Sequence, residues 1–206
     1  MRKKRREEIV LDRAKTKRQL QAEQTKRHIF RAALHLLELQ DFESITVRDI
    51  VREAGVSIGS FYNAYGSKLD VFYETFRVAD EHFENDVRPM LTQDTSAEKI
   101  LFFFREYARY NSVETPISLT KILYNPNNPY FRRSGDRGML PILTQLVRQA
   151  LEDGEFQSDK PAEEAAQFLM VCVRGVVYDW CLANGAYNLT QRVEEYVGYL
   201  LRVFQR

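Results

Sequence analysis

Residues 46–68 read TVRDIVREAGVSIGSFYNAYGSK, and this stretch decides the fold. Val47, Ile50, Val51 and Ala54 recur at three-to-four spacing, which predicts a helix over 46–54 with one apolar face. Thr46 can cap that helix, with Asp49 three residues on as its acidic capping-box partner. Gly55 then offers the left-handed backbone conformation that ends a helix cheaply. Ser57 caps a second short helix, and Ser67 with Asp70 repeats the capping pattern for a third. Two helices joined by a glycine-containing turn of about four residues make a helix-turn-helix. The second helix of that motif can enter a DNA major groove. The pattern therefore points to DNA binding.

Working outward, a helix is expected over 25–39, with Ile29, Ala32, Ala33, Leu36 and Leu37 as its buried stripe. Residues 1–23 form a basic N-terminal arm with no sustained apolar stripe. Such an arm can grip phosphates or a minor groove, add only nonspecific affinity, or extend the first helix into solvent. A linking helix follows over 67–86, and a helix apolar nearly all round over 96–111 belongs at the centre of a bundle. Pro116 opens a short helix ending near Tyr124, and NPNNP at 125–129 is a loop. An amphipathic helix over 136–153 stops at Gly154. Asp159 is expected to cap the next, with Pro161 in its first turn, up to Asn184 and Gly185. A last helix covers 190–204. The fold class is all-α, with about nine helices and no strand candidate. The expected organisation is the arm (1–23), a three-helix DNA-binding domain (24–70), and a larger helical ligand-binding and dimerisation domain (71–206).

The net charge of +1 hides an asymmetry: residues 1–68 hold 15 Lys+Arg against 9 Asp+Glu, and residues 69–206 hold 15 against 20. A basic first third beside an acidic remainder suits a nucleic-acid reader with a separate second lobe. No apolar run approaches the roughly 18 residues of a membrane span, and no signal-type apolar region follows the basic start. A cytoplasmic location without membrane contact is expected. Cys172 and Cys181 lie nine residues apart on one helix, hence on opposite sides, and read as buried thiols rather than a disulfide or metal pair, with redox sensing as the other reading. His28 and His35 share a helix face but stand about 10 Å apart along it, too far to ligate one metal. His82 is isolated, and no metalloprotease, phosphate-loop or nucleophile-elbow motif occurs. Neither an enzyme nor a cofactor is expected.

Residues 25–69 resemble the N-terminal DNA-binding domain of the TetR family of bacterial transcriptional regulators. The resemblance rests on the T-V-x-D-I-x-x-x-A-G-V-S-x-G-S-F-Y run and on Ser67-Lys68 just downstream. It implies that Arg48 reaches a base edge or a phosphate, and that Ser57, Ile58, Gly59, Ser60, Tyr62 and Asn63 form the recognition-helix surface. Ile58 could meet a thymine methyl, Gly59 allows close approach, and Tyr62 and Lys68 match phosphate contacts. Thr46 serves as cap and phosphate donor, while Phe61 is core. Three positions depart from the family pattern: Asp41 stands where glycine is frequent, Ala64 lacks a phosphate-contacting group, and Tyr65 replaces phenylalanine.

The C-terminal likeness is looser and rests on RGVVYDWCLANGAYNL at 174–189. It implies a homodimer through the last two helices. Phe168, Leu169, Val171, Cys172, Val176 and Trp180 offer more apolar surface than one helix face needs. Phe103, Tyr107, Tyr110, Tyr124, Phe131 and Trp180 are candidate inducer-pocket residues, with core packing as the competing reading. Arg174, in an apolar stretch, needs Asp179, another acid or an anionic ligand as partner. The implied function is that of a ligand-responsive regulator, a repressor released from a palindromic operator in double-stranded DNA by an unknown small-molecule inducer. Two alternatives remain at this point. One is a DNA-binding protein controlled by a protein partner or acting on chromosome organisation; the other is a helical ligand carrier or enzyme.

Overall fold

The computed structural model describes residues 16–125, 128 and 138–205. These residues form nine α-helices, and none of them is in a strand. The first three build the small N-terminal unit: α1 (Lys17–Leu39), α2 (Val47–Ala54) and α3 (Ile58–Ala64). The expected stripe of α1 is buried, and it packs on α2 and α3. Both motif caps form as the sequence suggests. Thr46 accepts from the Asp49 amide while Asp49 accepts from that of Thr46, and Gly55 stops α2 at φ 65°. Ser57 and Ser67 accept from the amides of Ser60 and Asp70.

The first helix begins eight residues before the expected position. Thr16 and Gln19 form a reciprocal capping box at its start, so residues 17–24 are a helical extension rather than part of a separate arm. Their exposure explains why no apolar period marks them. The rest of the expected arm, residues 1–15, lies outside the described residues, as do Phe131 and most of the 125–129 loop.

Helix α4 (Lys68–His82) crosses the expected domain boundary, packing on α1 and on α6 (Ile117–Leu123). It runs into a π-helical turn, Phe83–Val87. Helix α5 (Ser96–Arg109) is the centre of the larger unit and ends in a second π-helical turn, Tyr110–Glu114. It packs on α7 (Met139–Glu152) and α9 (Leu189–Leu201), while α8 (Ala162–Leu182) packs on α7 and α9. Phe103, on α5, meets Phe83 edge-on at 5.2 Å, and both are fully buried. Glu155, from the α7–α8 connection, accepts from the first amides of α5, at Ser96 (3.0 Å) and Ala97 (3.1 Å).

Asp159 does not cap α8; Pro161 occupies the N-cap position. A residue before proline is driven out of the helical region, so Lys160 cannot be the first helical residue that Asp159 would need. Helix α8 ends at Leu182, two residues short of the expected Asn184, and α9 starts at Leu189 under an Asn188 cap. By length and composition α8 is apolar enough to cross a membrane, although no such segment was expected, but half of that stretch is buried in the bundle. Its position between α7 and α9 is that of a core helix.

The α8–α9 turn depends on Gly185, at φ 74°. A β-carbon there would lie 2.9 Å from Ile117 Cδ1 and 3.3 Å from Trp180 Cζ2. Gly185→Ala is therefore expected to cost about 2 kcal/mol, combining left-handed strain with that collision. A chemical-denaturation midpoint equal to wild type would refute this.

Candidate nucleic-acid interface and junction cleft

Helix α3 has seven residues, too few to be helical alone. Phe61, fully buried, holds it to the core, while Tyr62 stacks its edge on the Phe61 ring at 5.3 Å and remains 56% exposed. Ile58, one turn earlier, is 48% exposed. Ser57, Gly59 and Asn63 are exposed beside them, Ser60 is half-buried, and Ser57 and Ser60 share a hydroxyl contact at 2.9 Å. Ile58, Gly59, Tyr62 and Asn63 thus share one exposed arc of α3, while Ser57 and Ser60 lie off it at the helix start.

Gly59 explains itself by what it does not touch. A β-carbon there would meet nothing closer than the Ser57 hydroxyl at 3.8 Å, and its φ is not positive. The fold does not require glycine, which costs a helix about 1 kcal/mol relative to alanine. Nothing within the fold accounts for it.

Arg48 is exposed on α2. Thr46 is engaged by Asp49, whose carboxylate lies 2.6 Å from its hydroxyl. Those Thr46 hydrogen bonds hold the Asp49 carboxyl below its usual range, with Arg52 adding a smaller pull. The Lys68 ammonium donates to the Phe42 carbonyl at 2.6 Å and the Ile45 carbonyl at 2.7 Å, and lies over the Phe42 ring. Burial pulls its pKa down, with Glu43 opposing. Lys68 thereby staples the 3₁₀ turn Phe42–Ser44, which Asp41 opens with φ −65°. This is how the loop before α2 is built without the frequent glycine. One ammonium proton remains for an anion.

Tyr65 is buried, as packing requires, and its extra hydroxyl donates to the Lys26 carbonyl on α1 at 3.3 Å. Ala64 leaves a groove of about 320 Å³ beside α1, walled by Arg18, Gln21, Lys26, Ser60 and Asn63. Arg18, Gln21 and Lys26 lie across this groove from Ser60 and Asn63 and were not among the expected site residues. The Thr16–Gln19 capping pattern was the available signal that α1 reaches this far.

The aromatic candidates divide. Phe103, Tyr107 and Tyr124 are buried, and the Tyr107 and Tyr124 hydroxyls bond each other inside the core. Tyr124 is thereby held neutral, its pKa raised by burial and by Tyr107, with Arg174 opposing. Asp179, the expected local partner of Arg174, accepts instead from the Tyr187 hydroxyl at 2.8 Å. Burial pushes the Cys181 thiol up to about 11, and both cysteines are free.

Tyr110 and Trp180 line a cleft of about 1130 Å³ between the two units. Phe30 on α1, Thr75 on α4 and Ile117 on α6 share its walls. The two π-helical turns both border it, through Asn85 and Asp86 on one side and Val113 and Glu114 on the other. A wider turn of this kind re-aims side chains at a helix end and recurs at functional sites.

Three comparisons place these features. Residues 29–75 match the family model of bacterial regulatory proteins, tetR family. The HTH-type transcriptional regulator AcrR of Shigella flexneri is 22% identical over 92% of this chain and 93% of its own. The HTH-type transcriptional regulator SrpR of Pseudomonas putida is 24% identical over 77% of this chain and 76% of its own. Among solved structures, FadR of Thermus thermophilus, a TetR-family repressor in complex with lauroyl-CoA, superposes with a TM-score of 0.71 at 23% identity, over 85% of this chain and 93% of its own. That last likeness is one of fold.

Proposed function

We propose, from the premise that this chain is a transcriptional regulator whose N-terminal domain belongs to the TetR family, that it is a homodimeric repressor released from a palindromic operator by a small molecule. One observation carries the reading: Ile58, Gly59, Tyr62 and Asn63 form an exposed face over a single buried anchor, Phe61. Such a helix has no reason within the fold to present that face. The basic residues of α1 and α2 around it supply phosphate attraction.

Release follows from where the cleft lies. Its walls include α1 of the DNA-binding unit and α4, the helix joining the two units. A ligand there binds one α1–α4 arrangement better than another, and so shifts the population of recognition-helix spacings. Two recognition helices must stand roughly 34–36 Å apart to meet successive major grooves. Lauroyl-CoA, the ligand of the Thermus thermophilus FadR, is a polyanion, and among the described residues no lysine or arginine lines this cleft. That lining favours an inducer of other chemistry.

Gel-shift titration on genomic fragments selected by the wild-type chain tests the DNA reading. Arg48→Ala and Tyr62→Ala are each expected to weaken binding roughly tenfold or more, at about 1–3 kcal/mol per contact. Gly59→Ala is expected to stabilise the fold slightly while weakening binding. Undiminished affinity in all three variants would sink the proposal.

A further inference from the structure

We infer that the junction cleft is a site for an organic cation carrying an N–H donor and an apolar or aromatic body, which deepens and rests on the ligand-responsive reading above.

Among the described residues, the charged side chains that line the cleft, histidine aside, are all acidic: Glu38, Glu81, Asp86 and Glu114. Arg77 bonds Glu74 and Glu81, Arg109 bonds Glu106 and Glu114, and Lys121 bonds Asn184, yet none of the three lines the space. Tyr110 senses the same field. Burial first, then Glu114 and Asp80, push its phenol up to about 12.

Two buried polar atoms on the wall supply an independent sign. The Thr75 hydroxyl, on a side chain only 6% exposed, has no hydrogen-bond partner, and neither does His82 Nε2. His82 Nδ1 lies 2.8 Å from the Asp86 carboxylate. In the neutral ring that contact puts the proton on Nδ1 and leaves Nε2 an acceptor. The imidazole nitrogen is ready to accept and the hydroxyl can do so, which suits a ligand that donates. A buried polar group left unpaired costs about 1–3 kcal/mol, which a donor from the ligand would remove.

The remaining wall suits the body of such a ligand. The His82 and Tyr110 rings stack at 5.5 Å, and Phe30 and Trp180 add two more aromatic surfaces. Aromatic faces attract cations, more so away from water. A cation between carboxylates and rings, with its N–H on Thr75 or His82, satisfies every feature; an anion could take only the Thr75 O–H and would meet repulsion from the carboxylates.

Trp180 is the sole tryptophan and lines the cleft, so its emission reports occupancy. The probes are 4-phenylbutylammonium, its trimethylammonium analogue, 4-phenylbutanol and 4-phenylbutyrate, titrated against the full chain by Trp180 fluorescence and calorimetry. The ammonium is expected to bind at least tenfold more tightly than the alcohol or the carboxylate. Asp86→Asn with Glu114→Gln should weaken it at least tenfold. Thr75→Val should weaken the primary ammonium roughly tenfold and leave the trimethylammonium compound unchanged. Failure of the ammonium to bind wild type, equal binding of the carboxylate, or full affinity in the double variant would overturn the assignment. Gel shifts on the same preparations separate the two readings. DNA binding without cation preference overturns the cleft assignment alone, whereas a wild-type chain that binds no DNA overturns the regulator reading.

Discussion

Phe61→Ala is expected to destabilise the DNA-binding unit by about 3–5 kcal/mol, the range for truncating a fully buried phenylalanine, and to abolish DNA binding. Phe61 is the only buried residue of α3. Its ring lies among Tyr62 at 5.3 Å and Tyr65 at 6.2 Å, within the core that Ile45, Ile50 and Val51 also build. The Ser57 cap and Phe61 together hold seven residues helical; the cap alone cannot meet the cost of nucleation. No other residue of α3 is buried, so no second anchor on that helix shares the loss. Thermal melting by circular dichroism and a gel shift check both halves. Tyr62→Ala is the control, because a substitution at a 56% exposed position should change stability by no more than about 0.5 kcal/mol. Were Phe61→Ala to melt with wild type, the single-anchor account of α3 would be wrong.

The motif was legible because its determinants are local. Thr46 with Asp49, Ser57 with Ser60, and the positive φ of Gly55 each act within four residues, so spacing alone exposes them. The helical extension before Thr25 stood beside a separate arm as one of two readings because it buries almost nothing; the Thr16–Gln19 capping box starts it, and propagation from the packed part of α1 sustains it. The start of α8 was misplaced by weighing the acidic side chain of Asp159 above the backbone restriction that Pro161 imposes.

The site in the larger unit was harder to read for a different reason. Phe103 and Tyr107 share a helix face with Tyr110, and that periodicity cannot tell a core stripe from a pocket wall. The distinction depends on Tyr124, which meets Tyr107 from another helix end, and on the π-helical turn that swings Tyr110 outward. The cleft itself joins Phe30, Thr75, Glu114 and Trp180, residues spread over most of the chain, and no local pattern records their approach. Lys68 teaches the converse lesson. Its place in the motif is plain in the sequence, but its bonds to Phe42 and Ile45 make it a structural staple, a role that motif spacing does not reveal.

Val171→Lys combined with Leu182→Lys is expected to convert a dimer into monomers and to lower affinity for a palindromic site at least 100-fold. On α8, Phe168, Val171, Tyr178 and Leu182 are 44%, 54%, 46% and 64% exposed, with Gly175 between them. Their three-to-four spacing draws one continuous apolar stripe. Tyr196 and Tyr199 on α9 and Val203 just past its end repeat the pattern at 41%, 55% and 63% exposure. Contiguous exposed apolar surface of this kind marks an interface, and a two-fold pairing sets the same stripe against itself. Burying a Leu, Val or Phe side chain contributes about 1.5–3 kcal/mol, so a stripe repeated in two copies has enough to offset the entropy of association. Two lysines per stripe place like charges across the axis, while their exposure leaves the fold of each subunit intact. Loss of the pair removes the second half-site contact, and linked binding exceeds single-site affinity by roughly 10²–10⁴. Analytical ultracentrifugation reads the mass, circular dichroism the fold, and a gel shift the affinity. A wild-type chain that sediments as a monomer, or a double variant that remains dimeric, would place the partner surface elsewhere.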